Sequence, residues 1–143
     1  MKRNYIIILS TVALLIFGYG CKKEDYQGDA VFWYGKNTSE KLIENGISNL
    51  TFYLDNEIIG STAANVYWVE KPYCGDNASI STTKELGSVK TQAYSYEIKS
   101  DNGNVIWEGI ININADGCSS VELVWDNNNK KAVATHCNCT LNK

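Results

Sequence analysis

The residues of this chain best suited to chemistry are its cysteines and its single histidine. His136, Cys137 and Cys139 lie within four consecutive positions. Two thiolates and an imidazole suit a zinc or copper ion, and the thiols could also support disulfide exchange. The Cys-x-x-Cys spacing of such sites is absent, however, and one histidine cannot orient a nucleophile without an acidic partner. We therefore expect a structural disulfide or a frayed tail here, with no metal and no other cofactor.

Paired carboxylates are the second set of residues that could do chemistry. A glycosidase needs two such groups beside the bond that it cleaves. The sequence offers Glu97 with Glu108, and Glu70 with Asp76. Acidic residues of this kind are ordinary on the solvated surface of a sheet, and the chain has neither a phosphate-binding glycine loop nor a dinucleotide fingerprint. We therefore expect no catalysis.

Four of the five cysteines predict a disulfide framework. Two disulfides can be drawn in three ways among Cys74, Cys118, Cys137 and Cys139. A bond between Cys74 and Cys118 would hold a loop against a strand and close a ring of about 45 residues, which contributes about 4 kcal/mol in the chain-entropy model. We predict this pairing. Cys137 and Cys139 would then close a small strained ring, or the tail would fold back and exchange partners.

Aromatic residues are the candidates for a binding surface. Neighbouring residues of a strand point to opposite faces, so one ring of Trp33 and Tyr34, and one of Tyr67 and Trp68, should lie outside the core. Exposed aromatic clusters bind sugars and proteins. We expect Trp33 and Trp68 to contribute to such a surface, unless curled sheets or the loop 36–48 cover the rings.

The loop around Pro72 to Asn77 is a separate candidate for binding, because the predicted disulfide would fix it to the sheet. Tyr73 and Asp76 are the side chains within it that we expect to contact a partner. A loop held in this way could insert into the active site of an enzyme and block it.

The elements that must position these residues are strands, since hydrophobic residues recur with a period of two. Strands are predicted at 29–34, 48–54, 57–60, 65–69, 89–99, 104–114, 118–125 and 132–135. One short helix is predicted from Ser39 to Glu44, ended by Asn45 and Gly46. Seven or eight short strands predict an all-β fold, a two-sheet antiparallel β-sandwich similar to immunoglobulin or prealbumin domains.

Two hairpins have a predicted register. A two-residue turn at Asp55–Asn56 would place Phe52 opposite Ile59 and Tyr53 opposite Ile58. A two-residue turn at Asn102–Gly103 aligns the apolar stripes of the second hairpin. Its predicted pairs are Ile98 with Trp107, Tyr96 with Gly109, Tyr94 with Ile111, and Glu97 with Glu108. A three-residue loop would separate the two acids but split the apolar stripe, and burial outweighs the repulsion.

The first twenty residues have the layout of an export signal, with Lys2 and Arg3 before the apolar run 5–17. Gly18-Tyr19-Gly20-Cys21 resembles the lipobox of bacterial lipoproteins, in which the cysteine is lipidated and becomes the first residue after cleavage. Setting Cys21 aside leaves four cysteines, an even number suited to pairing in an oxidising compartment. The alternative is a plain secretory signal cleaved near Gly20, with Cys21 as one more disulfide partner.

The predicted organisation is a signal peptide at 1–20, a lipidated cysteine and polar tether at 21–28, the sandwich at 29–135 and a cysteine-containing tail at 136–143. Thirteen Lys and Arg residues less Lys2 and Arg3 leave 11 cations against 16 Asp and Glu, a net charge of −5 after cleavage. Phosphate binding needs concentrated Lys and Arg, so we expect no nucleic-acid partner.

Three segments carry a resemblance to a family. Lys22-Lys23-Glu24-Asp25 resembles the charged tag behind the lipidated cysteine of Bacteroidetes-type surface lipoproteins. "LTFYLDNEIIGS" at 50–61 and "YSYEIKSDNGNVIWEGIININADGCSSVEL" at 94–123 are similar in layout to small all-β lipoproteins of that type, and more distantly to PEGA-like and carboxypeptidase-regulatory-like sandwiches. The Pro-Glu-Gly-Ala motif is absent. The resemblance implies a sandwich fold and an exposed location.

The expected function is that of an exported lipoprotein anchored in the outer membrane, at the cell surface or facing the periplasm. Its role would be binding or structural, with a protein or a glycan as the partner. One alternative is a small inhibitor or immunity lipoprotein that acts against a toxin or a lysozyme-like enzyme. A glycan-processing enzyme is a third.

Overall fold

The computed structural model describes residues 24–76, 80–126 and 129–137. Their elements, in chain order, are β1 (Tyr26–Trp33), α1 (Lys36–Glu44), β2 (Asn49–Leu54), β3 (Glu57–Ala63), β4 (Ile80–Gly87), β5 (Thr91–Ser100), β6 (Val105–Asn114), β7 (Cys118–Asp126) and β8 (Asn129–Cys137).

Within these ranges the strands form two four-stranded sheets, in the orders β4-β1-β7-β8 and β3-β2-β5-β6. This confirms the predicted all-β sandwich. One pairing departs from a wholly antiparallel arrangement, because β1 and β7 run parallel. Parallel neighbours need a long connection, and here α1 and the five strands β2 to β6 lie between β1 and β7 in the chain.

The β5–β6 hairpin has the predicted register. Tyr96 lies opposite Gly109, and Ile98 lies opposite Trp107. The predicted two-residue loop is wrong, since Ser100 N–H donates to Asn104 O (3.0 Å) and residues 101–103 form a three-residue loop. A bulge at Ile106 then restores the register. The bulge lets two consecutive side chains be buried, with Ile106 9% and Trp107 3% exposed.

The β2–β3 hairpin turns at Asp55 and Asn56, whose φ angles are 47° and 66°. Tyr53 pairs with Ile58 as predicted, but Phe52 pairs with Gly60 and not with Ile59. The register shifts between these two pairs, and Ile59 packs against the core.

Two predictions of strand position are wrong. Residues 65–69 form a loop, because Val66 N–H donates to Ala63 O (3.0 Å) and Trp68 N–H donates to Tyr34 O (3.0 Å). The strand β4, which the pattern missed, is an edge strand of mostly polar residues paired with β1. Smaller differences are that β1 begins at Tyr26, three residues early, and α1 at Lys36, also three residues early.

Aromatic rings fill the space between the sheets. The ring of Phe32 lies 5.4 Å from that of Tyr96 and 6.0 Å from that of Phe52, and Trp107 meets Trp125 edge to face at 6.1 Å. Aromatic pairs at such separations stabilise a core beyond their buried area. The two sheets are therefore joined by contacts between β1 and both β2 and β5, and between β6 and β7.

α1 forms hydrogen bonds with the β7 backbone beyond the point where the pairing of β1 with β7 ends. That pairing stops at Trp33 opposite Glu122. Beyond this point the hydroxyl of Thr38, on α1, donates to Leu123 O and accepts from Trp125 N–H, both at 3.1 Å. Thr38 is buried. One side chain thus serves backbone groups of β7 that would otherwise need a neighbouring strand.

We expect Gly109→Ala to destabilise the fold by about 2 kcal/mol, because overpacking a core costs about 1 to 3 kcal/mol. A Cβ at Gly109 would lie 2.5 Å from the Tyr96 hydroxyl and 2.8 Å from its Cζ. The ring is buried against Phe32 and has little room to withdraw. Urea unfolding followed by tryptophan fluorescence measures the effect. The control is Asn112→Ala, at an exposed position of the same strand, and equal midpoints for the two variants would contradict the prediction.

Candidate functional site

The connection between β3 and β4 is the part of the surface where most of the predicted binding residues lie. We call residues 64–76 the strap. Its first part is held by three hydrogen bonds: Ser39 Oγ donates to Ala64 O (2.6 Å), Tyr34 Oη donates to Ala63 O (3.0 Å), and Trp68 N–H donates to Tyr34 O (3.0 Å). The end of β1 and the start of α1 thus fix where the strap begins.

The far part of the strap is fixed covalently. Cys74 and Cys118 form a disulfide, with their Cα atoms 5.8 Å apart, which confirms the predicted pairing. Cys118 is the first residue of β7 and pairs with Asp29 of β1. The strap therefore runs back along β1, from the level of Tyr34 to the level of Asp29.

This path explains an otherwise unexpected burial on the outer face of the first sheet. Ala30 and Phe32 point into the sandwich, so Val31 between them points away from it. Val31 and its β7 partner Ser120 are nevertheless 0% and 1% exposed. The strap passes on that side of the sheet, and we infer that it is the second layer that covers them.

The tip of the strap is a tight turn. Tyr73 N–H donates to Asp76 Oδ2 (2.8 Å), and Asp76 N–H donates to Tyr73 O (3.2 Å). Gly75, at φ 91°, supplies the left-handed residue of this turn. The two residues predicted from the sequence are thus brought together, with Asp76 shaping the turn and Tyr73 presented to solvent, 72% exposed.

Apolar side chains are concentrated on the strap. Among the described residues, nine large hydrophobic side chains are exposed, and four of them are on the strap: Val66, Tyr67, Val69 and Tyr73. Val69 is 91% exposed. Soluble proteins show scattered apolar residues on their surfaces, but several within eight consecutive positions indicate a contact surface.

The two tryptophans predicted for binding are less exposed than these four side chains. Trp33 is half-buried on the outer face of β1, and its Nε1 donates to Ser120 Oγ (3.3 Å). Trp68 is also half-buried, with its ring 6.5 Å from that of Tyr34 and nearly perpendicular to it. Both rings are engaged by the protein itself, so the more open rings of the strap are those of Tyr67 and Tyr73.

Burial raises the pKa of Tyr34 to about 12, an effect that a hydrogen bond with Thr62 partly offsets. At neutral pH the hydroxyl is therefore a protonated donor to Ala63 O. Deprotonation of Tyr34 would leave its phenolate oxygen and Ala63 O, both hydrogen-bond acceptors, facing each other where the strap begins.

We expect stability to fall between pH 10 and 12 because of Tyr34. Below pH 10 the phenol of Tyr34 is protonated in both the folded and the unfolded protein. Between pH 10 and 12 it ionises in the unfolded chain but stays protonated in the folded one. Over this range the ionisation of Tyr34 lowers the free energy of unfolding by up to about 1.4 kcal/mol per pH unit. Tyr34→Phe should lose stability less steeply over that range, while Tyr94 and Tyr96, whose pKa values burial also raises, contribute alike to both proteins. Urea unfolding at several alkaline pH values tests this, and parallel curves would contradict it.

The other residues singled out for chemistry are placed as follows. β8 continues through His136 to Cys137, and its register puts Cys137 opposite Cys118. Cys21 and Cys139 lie outside the described residues.

The acidic pair Glu97 and Glu108 face each other across β5 and β6. Lys99 Nζ lies 2.7 Å from the Glu97 carboxylate, and this hydrogen bond raises the pKa of Lys99. In the described ranges no three His, Cys, Asp or Glu side chains are grouped as metal ligands.

Comparison with known proteins gives no relative. A scan of family models finds no match to the chain, and searches of curated proteins and of solved structures find none either. Of the helices in the part of the chain that the structure describes, none is long and apolar enough to cross a membrane.

Proposed function

We propose that this protein is an exported, lipid-anchored binding protein that contacts a protein partner through the strap and has no catalytic role. The observation that carries the proposal is the set of exposed apolar side chains on a loop fixed by a disulfide at one end and by hydrogen bonds at the other. A loop held in place before binding loses little conformational entropy when it binds.

The chemistry of the strap favours a protein over a sugar. Val66 and Val69 offer no hydrogen bonds to hydroxyl groups, and Asp76 is engaged within its own turn. Tyrosines beside aliphatic residues are typical of the central part of protein interfaces. Tyr73, at the tip of the turn, is the side chain that we expect to contribute most to affinity.

The proposed anchor sets the distance of the domain from the membrane. Only four residues separate Cys21 from the start of β1 at Tyr26, and a chain of that length spans at most about 17 Å. The sandwich end nearest the anchor contains the β6–β7 turn, where Asp116 N–H donates to Gln27 O (2.9 Å). A partner bound by the strap would therefore be met close to the membrane surface.

Site-specific photocrosslinking in intact cells tests the proposal. A benzoylphenylalanine probe at Tyr73, in the full chain, should give a discrete crosslinked product. The matched control is the same probe at Ile110, which is 69% exposed against 72% for Tyr73 but lies on the other sheet. Val69→Ser should weaken the product from position 73. Equal products at both positions, or none at position 73, would refute the proposal.

A second role, inhibition of a toxin or lysozyme-like enzyme, is favoured by the rigidity of the turn at Tyr73 to Asp76. An exposed turn with two internal hydrogen bonds suits insertion into an active site. Dose-dependent inhibition of a purified lysozyme, lost in Tyr73→Ala and kept in Ile110→Ala, would support this role. Absence of inhibition would contradict this role against the lysozyme tested.

A further inference from the structure

A concave surface lies far from the strap's tip, at the end of the sandwich opposite the start of β1. It is a cleft of about 490 Å³, formed where the end of α1, the β5–β6 loop and the start of β8 come together. β1 and β7 both run from the anchored end toward it. With the lipid anchor proposed above, this cleft would open away from the membrane.

The floor of the cleft is apolar. Ile47, Ile106 and Trp125 line it, and each is 7 to 9% exposed, so that a small part of each side chain faces the opening. Ile106 reaches this position through the bulge in β6, which turns it inward together with Trp107. The floor thus depends on a backbone irregularity that the alternating pattern of β6 alone would not produce.

The rim of the cleft is polar and comes from three separate segments. Lys41 and Glu44 form an ion pair (2.6 Å) on α1, and Asn102 and Asn104 lie on the β5–β6 loop. The side-chain amides of these two asparagines make no hydrogen bond within the described part of the chain. They are therefore available to a ligand, each with donors and an acceptor.

The third side of the rim is Lys130, at the start of β8. Its ammonium lies 4.8 Å from the centre of the Trp125 ring. This cation–π contact keeps the lysine at the mouth of the cleft, above the aromatic floor. A ligand that enters would meet two ammonium groups, two amides and a carboxylate around a hydrophobic base.

We propose that this cleft binds a saccharide. C–H groups of a sugar can contact the small accessible parts of Ile106 and Trp125, while its hydroxyl groups exchange hydrogen bonds with Asn102, Asn104 and the charged groups of the rim. The volume falls within the range of small-ligand sites, and the predominance of polar residues in the lining suits a ligand rich in hydroxyl groups. The proposal does not depend on the strap having a partner.

The probes for the test are maltotetraose, cellotetraose, chitotetraose and trigalacturonate, each added to the folded domain with its disulfide intact. Saturation-transfer and chemical-shift NMR report binding and its location. We expect at least one sugar to bind and to shift amide signals of the β5–β6 loop and of the end of α1. Neutral and acidic members of the panel show whether the lysines of the rim select a carboxylate.

Variants assign the binding to the cleft. Asn104→Ala and Lys130→Ala, both at exposed positions, should each weaken binding at least about tenfold. Asn112→Ala, an exposed asparagine on the outer face of β6, should bind as the unmodified domain does. Tyr73→Ala should also leave sugar binding unchanged, which separates this proposal from that for the strap. No binding by any probe, or binding that survives both cleft variants, would overturn it.

Discussion

Replacing both Cys74 and Cys118 by serine should lower the free energy of unfolding by about 4 kcal/mol. The two cysteines are 44 positions apart in the sequence, and without their bond the unfolded chain regains the conformational entropy that the closed ring removes. The strap also loses its attachment to β7, so the covered side chains of Val31 and Ser120 become accessible to water. The double variant is needed because Cys137 lies opposite Cys118 in the β7–β8 register and could replace Cys74 as its partner.

Urea unfolding of the double variant and of the unmodified domain, with and without reductant, measures this effect. Reductant should destabilise the unmodified domain by a similar amount and leave the variant unchanged. Hydrogen exchange should rise in the strap and spare the amides of β5 and β6, which pair within the other sheet. A variant as stable as the unmodified domain would show that the strap is held by its hydrogen bonds alone.

Thr38→Val is expected to lower the free energy of unfolding by about 3 kcal/mol. Each buried polar group left without a hydrogen-bond partner destabilises the folded state by about 1 to 3 kcal/mol. The hydroxyl of Thr38 satisfies Leu123 O and Trp125 N–H at once, and valine has the same shape but can serve neither. The shape of the core is retained, so the loss reports the hydrogen bonds and not a cavity.

Thr38→Ser is the matched control, because it keeps the hydroxyl and removes one methyl group. Its loss of stability should be well below that of Thr38→Val in the same urea titration. If valine were tolerated as well as serine, water or a local movement of α1 would have to satisfy the β7 backbone, and the account of α1 as a substitute for a neighbouring strand would be wrong.

The parts of the fold that could be predicted from the sequence are those in which local patterns carry the information. The β5–β6 register follows from the alternation itself, with Gly109 as the small residue opposite Tyr96. The loop length was missed because a bulge at Ile106 gives the same register from a three-residue loop. A two-residue loop without a bulge and a three-residue loop with a bulge pair the same side chains, so the pattern of apolar residues does not distinguish them.

The strap was predicted only in part. Asn65 to Val69 has the composition of a strand, but its backbone bonds to Ala63 and Tyr34 instead of to a ladder. β4 was missed for the opposite reason, since an edge strand with Thr83 bonded to Asp29 needs few apolar residues. The disulfide was predicted from the position of Cys74 in a loop and of Cys118 at the start of a strand, together with the size of the ring that they close.

The cleft had no signal in the sequence. Its lining residues come from α1, the β5–β6 loop and β8, and no local spacing relates Lys41, Asn102 and Lys130. The same is true of Thr38, an unremarkable helix residue whose role depends on where β1 stops pairing with β7. Features made by the meeting of distant segments become visible only in three dimensions.

We propose that the domain is exported on a lipid anchor, with its strap fixed by the disulfide between Cys74 and Cys118. Mass spectrometry of the protein purified from native membranes, without reductant, tests both parts in one digest. We expect an acylated Cys21 at the amino terminus and a peptide pair joined through Cys74 and Cys118. An unmodified amino terminus, or free thiols at Cys74 and Cys118, would contradict it.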